Sequence, residues 1–180
     1  VPGRLLTDIV RSLPESAVTI DTSVAGIATV TCGQSSFQMK TLSADDYPKF
    51  PEVRASESVV LPTEVLSHVV HQVSKSVSRD ETRPILTGVL VVIDNERLKM
   101  VATDSYRLCV KEVGVEGVAG DMELVVPGKA LEDVAKLIGS SETVSLGVAE
   151  NQVIFTFGDT TFISRRIEGS FPNYRQLLPK

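Results

Sequence analysis

Hydrophobic residues recur every three or four positions in three separate segments, the spacing of one face of an α-helix. Each segment follows an aliphatic residue and a proline, at Val1-Pro2, Leu61-Pro62 and Val126-Pro127, and proline is tolerated in the first turn of a helix. Because each apolar stripe covers a single face, we expect three helices that each lie on a sheet. The stripes are Leu5, Leu6, Ile9, Val10 and Leu13; Val65, Leu66, Val69, Val70 and Val73; and Leu131, Val134, Ala135 and Ile138.

The segments after each helix alternate apolar and polar residues, which predicts half-buried β-strands. Turn residues separate these strands, such as Gly33-Gln34, Asp94-Asn95-Glu96 and Gly158-Asp159. Each of the three units is therefore predicted to be a helix followed by an antiparallel meander. The predicted strands are 17–21, 27–32 and 36–42; 88–93, 98–103 and 107–113; and 144–148, 152–157 and 160–167, with 122–126 leading into the third helix.

The chain also repeats its own sequence. The segment starting at Val1 resembles the one starting at Val126, an offset of 125 positions, and a weaker copy starts at Leu61. If this offset is the length of a domain, the second and third units form one domain. We therefore predict that residues 1–53 are the second half of a domain and that 54–180 are a complete domain, with a linker at Glu52–Ser58. The predicted fold class is α+β, with helix-plus-meander half-units and helices on one face of the sheets.

The composition, with 42% hydrophobic and 23% charged residues, is that of a soluble globular chain. Its aliphatic runs are far shorter than the roughly 20 residues of a membrane span, and no signal peptide is visible. Because the chain opens without methionine, we expect it to be a piece of a longer protein. Cys32 and Cys109 lie in apolar, strand-like contexts, so we expect buried, reduced thiols in a cytosolic protein.

The net charge of −5 excludes binding of nucleic acid by the whole surface, and 5% aromatic residues argue against a base-stacking surface. Basic residues nevertheless recur at matching positions, with Arg4 and Arg11 in the first helix and Lys129 and Lys136 in the third. Exposed cations are common on helices of any soluble protein, and that interpretation stays open. Their recurrence favours a shared role, in which several helices present positive charge to the backbone of a polyanion.

No motif points to catalysis. His68 and His71 stand three residues apart on the second predicted helix and could share a metal ion, but no third ligand is evident. The sequence lacks a nucleophile elbow, a phosphate-binding P-loop and a dinucleotide-binding fingerprint. We predict a protein that is not an enzyme and has no catalytic residue, metal or cofactor. A small metal-dependent hydrolase using the two histidines remains an alternative.

Two motifs resemble one family. The runs Ala102–Leu108 (ATDSYRL) and Ile167–Tyr174 (IEGSFPNY), together with the helix openings at Val1 and Val126, resemble the bacterial sliding clamps, the beta subunits of DNA polymerase III. The resemblance covers the whole chain. It implies the DNA-clamp fold, with three similar domains of two helix-plus-sheet halves each, and two chains that close head to tail into a ring. Residues 1–53 would be the second half of clamp domain 1 and 54–180 clamp domain 2, with domain 3 absent.

This resemblance also implies a function. Clamps of the family are cytoplasmic, non-catalytic processivity factors that encircle duplex DNA without sequence specificity and tether the replicative polymerase. They also dock the clamp loader and repair proteins through short linear motifs. The alternative is a repeat-built protein-interaction module without DNA binding, and the recurring basic positions are what favours the clamp.

Three sets of site residues follow from the resemblance. Four match the basic lining of the ring and two lie near a loop that approaches DNA: Arg4, Arg11, Lys129 and Lys136, then Arg79 and Arg83. Pro84 and Ile85 stand where aromatic residues are frequent, which argues against stacking contacts there. The dimer edge would be the strand Ser36–Lys40, with Phe37 as an apolar anchor. Without its partner domain we expect no native ring, and we expect Phe37 to be exposed.

The third set is a hydrophobic pocket for partner peptides, with apolar walls for leucine or phenylalanine anchors. Its residues in this chain would be Leu86, Thr103, Ser105, Tyr106, Arg107, Leu108, Pro172, Gln176 and Leu177. Ser105, Tyr106, Gln176 and Asn173 differ from residues typical of the family, which we expect to shift the preferred motif. Since the other wall belongs to the third domain, this chain should bind such peptides weakly. Leu86 and Leu108 could equally be core residues.

Overall fold

The computed structural model describes residues 1–48, 54–118 and 120–178, and the chain divides into two compact units, Val1–Glu52 and Val53–Lys180. The described residues form three α-helices and three antiparallel sheets, which confirms the predicted α+β class. The helices are α1 (Gly3–Ser12), α2 (Thr63–Val73) and α3 (Gly128–Leu137). The strands are β1 (Val18–Asp21), β2 (Ile27–Cys32), β3 (Ser35–Lys40), β4 (Glu57–Pro62), β5 (Gly88–Asp94), β6 (Arg97–Thr103), β7 (Leu108–Gly114), β8 (Met122–Pro127), β9 (Thr143–Ala149), β10 (Gln152–Phe157) and β11 (Thr160–Arg165).

The first unit is a three-stranded sheet in the order β1-β2-β3, with α1 packed on one face. Its small core consists of Ile9 from the helix and Ala28, Val30 and Met39 from β2 and β3. Phe37 is half-buried and packs against this core, since it lies opposite Val30 in the register of β2 and β3. The expectation of an exposed Phe37 is therefore wrong, because the strand directs it toward α1. Both β1 and β3 are edge strands of this sheet.

The second unit contains two four-stranded sheets, ordered β11-β10-β9-β4 and β7-β6-β5-β8. Each sheet takes one strand from the other half of the repeat: β4 pairs with β9 and β8 pairs with β5. Both helices begin directly after such a strand, at Pro62 and Pro127. Inward-facing residues of both sheets and the apolar stripes of α2 and α3 then form one core, which includes Leu66, Leu131 and Phe155. The two halves therefore share one core.

A second apolar cluster lies on the other face of the sheet that contains β5, β6 and β7. Leu90, Val101, Val125 and the buried ring of Tyr174 form it. Because β5 is covered on both faces, its sequence is a nearly continuous apolar run rather than an alternating one. The chain after β11 crosses this face, and the backbone N–H of Ile167 donates to the carbonyl oxygen of Val125 over 2.9 Å.

The predicted helices and meanders are confirmed, with four corrections. Glu57 and Ser58, predicted as linker, begin β4, which is absent from the predicted strands, while residues 52 and 53 of that linker lie outside the described part. β3 and β11 end earlier than predicted, at Lys40 and Arg165. Cys109 is half-buried rather than buried, because β7 is an edge strand. Among the described residues, no helix is long and apolar enough to cross a membrane.

The start of β5 leaves no room for a side chain at Gly88. An added Cβ would lie 2.8 Å from Ile167 Cδ1 and closer still to Val125 Cγ1. We expect Gly88→Ala to lower the free energy of unfolding by about 1–3 kcal/mol through overpacking. Urea denaturation of the chain measures this, with Gly114→Ala as the matched control, because a Cβ at that strand end meets nothing within 4 Å. Equal stability of the two variants would contradict the packing described.

Candidate functional site

The six basic residues predicted to contact DNA lie at the surface. Arg4 and Arg11 are exposed on α1 in the first unit. In the second unit Lys129 and Lys136 are exposed on α3 and Arg79 is exposed after α2, whereas Arg83 is half-buried. The apolar stripes of the helices face their sheets, so the charged faces point to solvent.

A cleft of about 1000 Å³ opens between the segment after α2, the start of α3 and the turn after β6. It brings together residues from two predicted sites: Arg79, Arg83 and Lys129 from the DNA set, and Tyr106 and Arg107 from the peptide pocket. Its remaining charged residues are Lys75, Asp80, Glu81, Asp104 and Glu132. With five cations and four carboxylates the cleft carries a small positive excess, although the chain as a whole is acidic.

Lys129 is held by its own helix. Its Nζ lies 2.7 Å from Asp133 Oδ1, one helical turn further on. The hydrogen bond from the ammonium to Asp133 raises the pKa of Lys129 above its ordinary value. Since the lysine is largely exposed and the aspartate partly exposed, the pair contributes little to stability. The lysine therefore stays protonated and remains accessible to a partner that competes for it.

The turn between β6 and β7 is built around Asp104. Its Oδ1 accepts hydrogen bonds of 3.0 Å from the backbone N–H groups of Tyr106 and Arg107, and its Oδ2 accepts one of 2.9 Å from Arg107 Nε. The hydrogen bond from the backbone N–H of Arg107 is the main reason that the pKa of Asp104 lies below its ordinary value. The hydroxyl of Thr103 donates to the carbonyl oxygen of Arg107 and accepts from the N–H of Ser105. This network leaves Tyr106 at the tip, 95% exposed.

A second aspartate organises the loop after α2. Asp80 Oδ1 accepts from the backbone N–H and the hydroxyl of Thr82, and its Oδ2 accepts from Arg83 Nε over 2.8 Å. The Thr82 hydroxyl is the main cause that lowers the pKa of Asp80. Arg83 Nη1 also donates to Ser105 Oγ over 3.0 Å. The two loops are thus connected through one guanidinium.

The predicted pocket is only partly assembled in the described residues. Leu86 and Thr103 are buried, and Leu108 is half-buried beside the cluster around Tyr174. Gln176 is exposed, as is Leu177 at 62%. Pro172 lines a cavity on the sheet face away from the helices, separate from the cleft that Tyr106 and Arg107 line. Leu86 belongs to the packed interior, whereas Tyr106, Arg107 and Leu177 are accessible.

The histidine pair does not gain a third ligand in the structure. His68 and His71 are both exposed on α2. Within the described ranges, no three His, Cys, Asp or Glu side chains are grouped so that they could hold a metal ion.

The carboxylates that organise these cations were not among the predicted site residues. Asp80, Asp104 and Asp133 each pair with a basic residue three or four positions later or earlier. That spacing is visible in the sequence; the known helical signal applies to Lys129 and Asp133 on α3, whereas the other two pairs lie in loops. Tyr174, which is buried in the cluster with Leu90, Val101 and Val125, was also not among the predicted site residues.

Comparison with known proteins shows the family. A family model described as the central domain of the DNA polymerase III beta subunit matches residues 60–173, and one for its N-terminal domain matches residues 1–51. The chain belongs to the DNA polymerase III beta subunit family. The predicted family is thereby confirmed, and with it the clamp fold.

Individual relatives agree with this family. The beta sliding clamp of Staphylococcus epidermidis is 37% identical over 181 residues, covering 100% of this chain and 48% of the relative. The DNA polymerase III beta chain structure from Streptococcus pneumoniae superimposes with a TM-score of 0.91 at 30% identity, covering 100% of this chain and 48% of that one. A beta subunit structure from Pseudomonas aeruginosa bound to griselimycin has a TM-score of 0.88 at 29% identity, covering 100% and 49%. This beta subunit family chain spans about half the length of the curated relatives it matches.

The two aspartate-centred loops should respond to acid. Because hydrogen bonds stabilise the ionised forms of Asp80 and Asp104, their folded pKa values lie below the unfolded ones. Their contribution to stability is therefore complete above the unfolded pKa and is lost as the pH falls through the folded pKa. We expect carboxyl-carbon NMR titration to place both midpoints below the usual aspartate range. We also expect Asp104→Asn to remove part of the acid sensitivity of unfolding, and an unchanged acid sensitivity would contradict the network.

Proposed function

We propose that this chain is part of a sliding clamp, a non-catalytic, cytoplasmic processivity factor that encircles duplex DNA without reading its sequence and tethers the replicative polymerase. The match of two clamp domain models along the chain carries this proposal. Basic residues on the exposed faces of α1 and α3 support it, because phosphate contacts are independent of sequence and weaken with salt.

The proposed domain arrangement is the second half of clamp domain 1 in residues 1–53 and clamp domain 2 in residues 54–180. The sheets support this division. By the repeat, β1 corresponds to β9, and β9 has a second neighbour, β4, supplied by the other half of its unit. The outer edge of β1 has no partner strand among the described residues, and Ile20 on this strand is 61% exposed. Domain 3 would lie in the remainder of the full-length protein.

The partners follow from the same proposal. The head-to-tail homodimer would use β3, an edge strand whose Ser36, Gln38 and Lys40 are exposed, while Phe37 supports the strand from inside. The clamp loader, the polymerase and repair proteins would dock short motifs at the turn after β6 and at the segment around Pro172 and Leu177. No metal or cofactor is part of this function.

Sequence-independent DNA binding predicts a defined salt effect. In the full-length protein we expect Arg79→Gln and Lys136→Gln each to weaken binding to a linear duplex and to reduce the slope of log K against log salt by about one. Fluorescence anisotropy at several salt concentrations measures both quantities. Arg97→Gln is the matched control, because Arg97 has the same charge but pairs with Glu112 on the sheet face away from the helices. If all three variants have the same duplex affinity and the same salt slope, the alternative of an interaction module without DNA binding is favoured.

Peptide docking predicts a loss at exposed apolar positions. We expect Tyr106→Ala and Leu177→Ala each to weaken binding of a labelled peptide, with a glutamine followed by spaced leucine and phenylalanine anchors, about fivefold or more. Both side chains are exposed, so folding should be unaffected. Leu137→Ala removes a similarly exposed leucine from the end of α3 and should leave the peptide affinity unchanged. If the folded full-length protein binds the peptide and both substitutions leave its affinity unchanged, the proposed pocket is contradicted.

A further inference from the structure

Arg83 holds two residues of the proposed peptide pocket at once. Its carbonyl oxygen accepts the backbone N–H of Leu86 over 3.0 Å, and its Nη1 donates to Ser105 Oγ over 3.0 Å. Its own backbone N–H donates to the carbonyl oxygen of Asp80, and its Nε to the carboxylate of the same residue. Arg83 is therefore fixed at both its backbone and its side chain.

Ser105 is the residue of the turn that most needs support. Its φ is +79°, in the left-handed region that favours glycine and is costly for a residue with a Cβ. The N–H of Ser105 is bound by Thr103 Oγ1, and its hydroxyl accepts from Arg83. Such a conformation persists only where the surroundings hold it. The donor to the hydroxyl comes from the other loop of the cleft.

We propose that Arg83 is a positioning residue of the peptide pocket: it holds the turn between Thr103 and Leu108 in shape through Ser105, and it contributes less to DNA binding than Arg79. Two observations support these different roles of Arg83 and Arg79. The guanidinium of Arg83 is half-buried and already paired with Asp80 and Ser105, whereas Arg79 is exposed. Moreover, its contacts lead to Leu86 and Ser105, both in the pocket set. The inference rests on the proposed clamp function and refines it.

Two substitutions at Ser105 separate the hydrogen bond from the backbone strain. Ser105→Ala removes the acceptor and keeps the Cβ, so the turn remains costly and loses the support that comes from Arg83. Ser105→Gly removes the acceptor as well, but glycine adopts a φ of +79° freely. Arg83→Lys keeps the charge and lacks the forked guanidinium that reaches Asp80 and Ser105 together.

The experiment uses the full-length protein and measures affinity for the labelled peptide and for the linear duplex. We expect Arg83→Gln, Arg83→Lys and Ser105→Ala each to weaken the peptide about fivefold, the effect of one hydrogen bond. The double variant Arg83→Gln/Ser105→Ala should lose no more peptide affinity than either single variant, because both changes remove the same hydrogen bond. In the Ser105→Gly background, Arg83→Gln should alter peptide affinity by less than about twofold, because the glycine turn no longer needs the arginine. Duplex affinity should fall less for Arg83→Gln than for Arg79→Gln.

Amide hydrogen exchange at Tyr106 and Arg107, measured without peptide, tests the connection independently of docking. We expect faster exchange in Arg83→Gln and Ser105→Ala, and exchange near the wild-type rate when Arg83→Gln is combined with Ser105→Gly. Unchanged exchange in Arg83→Gln would overturn the positioning role whatever the peptide does. An equal loss of duplex affinity in Arg83→Gln and Arg79→Gln, with peptide affinity intact, would also overturn it. If the wild-type protein binds no peptide while Arg83 still controls exchange, the proposed docking function fails and the pocket role of Arg83 fails with it.

Discussion

The second unit depends on the exchange of one strand between its two halves. β4 precedes α2 but pairs with β9, and β8 precedes α3 but pairs with β5, so each sheet is completed by the strand that leads into a helix of the repeat. A strand and its helix are joined at a proline without an intervening loop, which ties the start of each helix to the edge of a sheet. Because neither half completes its sheet or covers its apolar residues by itself, both halves share one core. The same exchange leaves the polar faces of α2 and α3 toward solvent, where Lys129 and Lys136 of α3 are accessible.

The sheet that contains β5 carries apolar residues on its second face as well. The segment after β11 covers this face through Tyr174, with Phe171 and Ile167 beside it. That cover brings Pro172, more than sixty positions away in sequence, to the same sheet face as Leu108. The proposed peptide pocket, made from such distant segments, would require the core beneath it to be rigid, since a small shift of either segment would separate its walls.

The net charge of the chain does not show how its charged residues are distributed and paired. The chain has a net charge of −5, yet five cations line one cleft, and three of these are paired with a carboxylate close in sequence. Lys129 with Asp133, Arg107 with Asp104 and Arg83 with Asp80 are such pairs. The pairs differ in use. Lys129 and Asp133 lie on the solvent-facing side of α3, where under the proposed function the lysine would exchange its carboxylate for a phosphate, whereas Arg83 connects two loops.

The repeat, the three helices and ten of the eleven strands could be predicted from the sequence, because the local order of apolar residues shows a period of two or of 3.6. The family was also readable, since its motifs are short and contiguous. The pairing of the strands, the place of Glu57 and Ser58 in β4 and the packing of Phe37 toward its helix are visible only in the three-dimensional fold. It also decided that Ser105 adopts a left-handed backbone and receives a hydrogen bond from Arg83, 22 positions earlier. These features depend on contacts between residues far apart in the chain, and no local pattern specifies which distant residue supplies the contact.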